Sequence, residues 1–69
     1  MKQAYRLNIS TIGVHTENGK AVAVVIPAGA MLDRLAEENG FAICRWDGRD
    51  VQVLSFDLLE RGALVRQTN

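Results

Sequence analysis

The side chains able to do chemistry in this sequence are few and widely separated. His15 is the only imidazole and Cys44 the only thiol. A histidine works as acid or base when the fold sets a nucleophile or carboxylate within hydrogen-bond reach. The residues around His15 form no such constellation, so it reads as a strand histidine near an exposed hairpin end. A reactive thiol needs an electropositive, accessible surround. Cys44 stands in mid-strand on the face of Trp46 and Val51, while Arg45 points to the other face, so it reads as a core residue. Asp33, Glu37 and Glu38 form a carboxylate group, but hydrolysis requires such groups to converge in a pocket. Along one short polar edge they read as a solvated face, with Arg34 and Glu38 able to pair if the stretch is helical. The sequence contains no glycine-rich phosphate loop, Ser-His-Asp set or metal-ligand spacing. This inventory points to a protein that is not an enzyme and that uses no cofactor and no metal.

The sharpest cluster is Trp46 with Arg45 and Arg49. Tryptophan and arginine dominate binding hot spots because they combine large area with directed hydrogen bonds. Trp46 stands beside a turn, where an indole is hard to bury fully, and Tyr5 is a candidate second aromatic. Two readings follow. Trp46, Arg45, Arg49 and Tyr5 form an interaction surface, or Trp46 folds over one end of the domain with Arg49 stacked on it.

The elements that must position these residues announce themselves through two turns. Asn18-Gly19 and Asp47-Gly48 are the dipeptides favoured in type I′ hairpins, whose two central residues need positive φ. A two-residue loop at Asn18-Gly19 sets Glu17 opposite Lys20, His15 opposite Val22, Val14 opposite Ala23 and Ile12 opposite Val25. Residues 21–26 are nearly all apolar and rich in valine, which predicts a strand buried over most of its length. The loop at Asp47-Gly48 sets Trp46 opposite Arg49, Arg45 opposite Asp50 and Cys44 opposite Val51. One face of that hairpin carries Ala42, Cys44, Trp46, Val51 and Val53. The other carries Phe41, Ile43 and Leu54 among Arg45, Asp50 and Gln52, a pattern suited to closure into a barrel.

Around the hairpins, Tyr5, Leu7 and Ile9 alternate with Ala4, Arg6 and Asn8 as a half-buried strand does. Pro27 and Gly29 suit the second and fourth positions of a turn. Residues 30–38 are ambiguous. Met31, Leu32, Leu35 and Ala36 share a helical face that Gly40 could end, whereas the surrounding rhythm of strands and turns favours a strand, the reading adopted here. Asp57 and Glu60 form a capping-box pattern and Gly62 a helix stop, so residues 57–61 are expected to make one short 3₁₀-like turn. Residues 63–65 make a last short strand, and residues 66–69 are expected to fray.

Length and composition bound the rest. The chain has 69 residues, enough for a single domain spanning 1–69. A domain this small buries only about 60% of the surface its unfolded chain exposes and needs additional support. A lone cysteine rules out an internal disulfide, which leaves a protein partner or self-association into a homo-oligomer. Apolar residues make up 48% and charged residues 23%, as in an ordinary globular protein. The eight basic and eight acidic side chains cancel, which argues against nucleic acid as the main partner. No apolar run reaches the length of a membrane span. A lone cysteine without an export signal reads as cytoplasmic.

The order of hairpin, Asp-Gly hairpin, helical turn and final strand is that of five-stranded, all-β SH3-like barrels. More specifically, residues 26–30 (Ile-Pro-Ala-Gly-Ala), 46–49 (Trp-Asp-Gly-Arg), 56–58 (Phe-Asp-Leu) and 60–62 (Glu-Arg-Gly) resemble a pattern found in short uncharacterised bacterial proteins with an SH3-like β-barrel. This resemblance spans roughly residues 22–62; it implies the fold and a bacterial or mobile-element source, and no activity. Residues 51–54 (Val-Gln-Val-Leu), followed by Leu59-Glu60-Arg61, are similar to the C-terminal part of type II dihydrofolate reductases. Those tetramers line a shared pore with a Val-Gln-Ile-Tyr strand. Gln52 and Val53 match that strand, whereas Leu54 replaces its functional tyrosine. The functions implied are, in order, a self-associating interaction module, a barrel binding single-stranded nucleic acid through Arg6, Lys20, Arg45, Arg49, Arg61 and Arg66, and an oligomeric reductase.

Overall fold

A computed structural model describes the backbone of residues 2–68 and the side chains from residue 3 to residue 66. The strands are β1 (Lys2–Leu7), β2 (Thr11–Glu17), β3 (Lys20–Ile26), β4 (Met31–Glu38), β5 (Phe41–Trp46), β6 (Arg49–Leu54) and β7 (Gly62–Thr68), with one helix, α1 (Ser55–Arg61), between β6 and β7. All join one antiparallel sheet in the order β3-β2-β6-β5-β4-β1-β7.

The all-β expectation holds, while the five-stranded closed barrel is corrected to an open sheet of seven strands. Closure fails for two local reasons. The hairpin β2–β3 joins the ladder of the rest of the sheet at one residue pair, Val14 opposite Gln52, and so forms a wing whose inner residues Val24 and Ile26 still reach the core. At the other end β1 takes β7 as its second neighbour, pairing from Leu7–Gly62 to Lys2–Thr68. β3 and β7 therefore remain as separate edges.

Both hairpin registers match expectation, pair for pair. A third hairpin joins β4 and β5 through Asn39-Gly40, flanked by Glu38 opposite Phe41. All three turns have the two positive φ angles of type I′: 52° and 78° at Asn18-Gly19, 53° and 83° at Asn39-Gly40, 53° and 76° at Asp47-Gly48. Residues 31–38 are thus a strand. The helix-like spacing of its apolar residues has a physical cause: the register slips between Arg34 and Ala36, leaving Leu35 as an extra residue. A bulge of this kind interrupts the two-residue alternation of a strand.

Other local expectations need correction. The turn after β3 is closed by the Ala30 N–H donating to the Pro27 carbonyl at 3.2 Å, with Gly29 at φ 89° in its third position, one place from that expected. The helix is α-helical and starts two residues early. Its N-cap is Leu54, with no side-chain cap, so Asp57 lies inside the first turn and no capping box forms. The Ser55 N–H donates instead to the Gly40 carbonyl at 2.9 Å, which supplies one of the partners a helix start needs. Gly62 is extended, at φ −126°, and leads directly into β7. That strand runs to Thr68, stabilised by its ladder to β1, where fraying was expected from residue 66; Asn69 lies outside the described residues.

The core lies on one face of the curled sheet, where α1 closes it. Tyr5, Leu7, Ile26, Leu32, Ala42, Cys44, Val51, Val53 and Leu58 form one buried cluster, with Val24, Ala30 and Trp46 packed against it. Leu58 is the buried side chain of α1. Main-chain bonds pin β1 beside the turn and the helix: Leu7 N–H to the Ala30 carbonyl at 3.0 Å, and Asn8 N–H to the Arg61 carbonyl at 2.6 Å.

Candidate interaction surface

The four residues singled out from the sequence do not form one patch. Tyr5 is 6% exposed and belongs to the core; its hydroxyl lies 3.5 Å from Gln3 Oε1. Trp46 is half-buried against the core on the inner face, and the Arg49 guanidinium lies over its ring at 5.7 Å from the centroid. The reading in which Trp46 folds over one end beneath Arg49 describes this arrangement. Arg45 stands on the opposite, outer face, where its Nε donates to Asp50 Oδ1 at 2.6 Å. Asp47 approaches Arg49 at 3.6 Å. Trp46 and Arg49 on one side, and Arg45 on the other, meet only around the Asp47-Gly48 turn.

Beside that turn lies an open cleft of about 700 Å³, between the tips of the two hairpins. Its walls are Val14, His15, Thr16 and Ala21 from the wing, and Ile43, Arg45, Arg49, Asp50 and Gln52 from β5 and β6. The cleft lies where the ladder between β2 and β6, one pair long at Val14 and Gln52, is not continued toward the turns. His15 is half-buried in its wall, and the charged groups that line the same cleft are Arg45, Arg49 and Asp50. No cluster of three or more His, Cys, Asp or Glu able to hold a metal occurs among the described residues.

The remaining chemistry is inert. Cys44 is fully buried, and desolvation pushes its thiol from 9.0 up to about 11, Arg34 lowering it and Asp33 raising it by smaller amounts. The thiol is therefore neutral near pH 7 and unreactive while the fold is closed. The carboxylates of β4 do not converge. Glu37 pairs with Arg34 across the bulge, in place of the Arg34–Glu38 pair a helix would make, and Arg34 Nη1 also donates to Gln3 Oε1 at 3.0 Å.

Composition concealed an apolar outer face. β3 was expected to be buried; it is the edge strand, and among residues 20–26 only Ile26 is buried. Ile12 and Val25, opposite one another, are 65% and 64% exposed. Val14, Ala23, Ile43 and Leu54 share that outer side by strand alternation and register. The signal was present in the paired hairpins: β3, β5 and β6 carry apolar residues on both faces and β2 carries Ile12 and Val14 on its outer one, and one core can cover only one face. A second apolar patch lies on α1, where Phe56 and Leu59 are 68% and 67% exposed.

No helix among the described residues is long and apolar enough to cross a membrane. Comparison with known proteins finds no matching family model, no matching curated protein and no matching solved structure.

Proposed function

We propose that the chain is a non-catalytic interaction module that associates with copies of itself through the β2–β3 hairpin, which lies at the edge of the sheet and continues the apolar outer side of β5 and β6. One observation carries this reading: the sheet is apolar on both faces, and the core accounts for only the inner one. Contiguous exposed apolar area beyond a few hundred Å² marks interaction sites in soluble proteins. A standard interface takes about 800 Å² from each partner, under a fifth of the 4503 Å² surface of this chain. The formal net charge of zero leaves no long-range repulsion between copies.

The nucleic-acid reading is less well supported, because four of the six arginines are paired with carboxylates. Arg34, Arg45, Arg49 and Arg61 each lie against a carboxylate: Glu37, Asp50, Asp47 and Asp57. A phosphate-binding groove needs such charges clustered and uncompensated. The reductase reading keeps one supporting observation, since Gln52 is exposed on the same outer face, where copies would meet. A tetramer active on dihydrofolate would move that reading to first place.

Light scattering tests the proposal. The native chain is expected at a multiple of 7.6 kDa, and the double variant Ile12→Lys, Val25→Lys at the mass of a single chain. A native protein that stays monomeric at hundreds of micromolar overturns it.

A further inference from the structure

The free edge of the wing has a hydrogen-bonding pattern that specifies how two copies meet. A type I′ turn is closed by a hydrogen-bonded pair, here Glu17 and Lys20, and such pairs alternate along an antiparallel ladder. His15–Val22, Gly13–Val24 and Thr11–Ile26 are then the bonded pairs of β2 and β3. The intervening residues aim their main chains away from the partner strand. On β2 this parity points Val14 toward β6, and on β6 the same logic, from the Trp46–Arg49 closing pair, points Gln52 toward β2. Val14 and Gln52 are the residues that pair there. On β3 it leaves the N–H and C=O groups of Ala21, Ala23 and Val25 facing outward, and all three residues are exposed.

Edge strands are usually blunted by charge, proline, bulges or cover. β7, the other edge, carries Arg66, a register slip against β1 and contact with α1. β3 has none of these within its seven residues. Its ladder to β2 is unbroken, its single charge is Lys20 at the turn, and Pro27 comes only after the strand ends.

We infer that two copies join edge to edge through β3, antiparallel about a two-fold axis at Ala23, so that the two sheets become one. This rests on the self-association proposed above and names its geometry. Ala23 pairs with its own copy and Ala21 with Val25 of the second copy, so about six main-chain hydrogen bonds form from groups that otherwise face solvent. Val22 and Val24 oppose each other on the inner side, covering the half-exposed Val22. The two Lys20 side chains end about 20 Å apart at the rise of a strand, beyond a Debye length of roughly 8 Å at physiological salt. The occupant is a second copy because the strand is self-complementary under this axis: every outward donor meets an acceptor, small Ala23 meets itself, and no like charges face. The outer faces then lie side by side, with Ile12 and Val25 of each copy close to the seam.

Ala23→Pro is the direct test. Proline is tolerated on a sheet edge where its missing N–H faced solvent, so the hairpin to β2 is kept while the central donors of the seam are lost. Expected are a single-chain mass by light scattering and an unchanged far-ultraviolet circular dichroism spectrum. Hydrogen exchange on the native chain gives the answer without any variant. The amides of Ala21, Ala23 and Val25 are expected to exchange at least tenfold more slowly at high than at low protein concentration. A native dimer in which these three amides exchange freely, or in which folded Ala23→Pro stays dimeric, overturns the edge-to-edge geometry and leaves a face-packed dimer. A native chain that is monomeric throughout removes both this geometry and the self-association it rests on.

Discussion

Asn18-Gly19 and Asp47-Gly48 close their hairpins in the same backbone conformation, yet the strands they join have different surroundings. β5 and β6 lie inside the sheet, with neighbours on both sides, and contribute Ala42, Cys44, Val51 and Val53 to the core. β2 and β3 form the outlying wing, and β3, the more apolar by composition, is largely exposed. Turn chemistry sets which residues face each other, and position in the sheet sets which are buried. In the central hairpin most apolar residues are taken up by the core, with Leu54 left 47% exposed on the outer side. In the wing Ile26 is buried while Ile12, Val22 and Val25 remain exposed, which is why association is placed there and not at Trp46.

Trp46→Ala puts the largest strain on this division. Removing a half-buried indole with its Arg49 contact is expected to cost about 3 kcal/mol, at the low end for tryptophan truncation, read by urea unfolding. The solution mass should not change. A dissociated but equally stable Trp46→Ala protein would return the interface to the central hairpin.

The second test uses the thiol that the core holds. Burial raises the Cys44 thiol from 9.0 to about 11, so the folded state prefers the neutral form more than the unfolded state does. The stability tied to this preference is fully present below pH 9 and is lost as pH rises toward 11. By about 1.4 kcal/mol per unit the loss is about 2 to 3 kcal/mol. Cys44→Ala should lack that part of the alkaline decline, which the difference between the two pH profiles of unfolding isolates from tyrosine and lysine titration. Equal profiles would mean that the strand opens to water more readily than its burial implies.

The mildest comparison sets one valine against another. Val53→Ala in the central hairpin removes buried methyl groups and is expected to cost about 2 kcal/mol. Val25→Ala in the wing should change stability by no more than about 0.5 kcal/mol when measured on dissociated chains. Similar costs would show that the wing is covered within the single chain.

Pairing was legible from the residues wherever a turn dipeptide pinned it. Both hairpin registers follow from Asn18-Gly19 and Asp47-Gly48, and the inward face of β5 and β6 follows from alternation. The same signal stands at Asn39-Gly40, but Gly40 was read there as a possible helix end, because the Leu35 bulge gives the apolar residues before it a helix-like spacing. Strand order was not legible, because the ladders β1–β4 and β1–β7 join residues far apart in sequence. The expectation that β3 is buried failed for that reason: apolar content shows that a surface avoids water, and says nothing of whether its own chain or another covers it. Of the candidate site, the Trp46–Arg49 contact was readable from their opposition across a turn. Tyr5 was misplaced, since period-two patterning does not separate a core tyrosine from a rim one.

The pairing of Lys2 with Thr68 across β1 and β7 has a practical consequence for engineering. With the first and last strands side by side, a short glycine-rich linker can join the two ends, and the ring can be reopened at Asn39-Gly40, an exposed turn on the opposite side of the domain's sequence. Such a circular permutant keeps every ladder of the sheet while moving both termini away from β7, and it leaves the wing and its free edge unaltered.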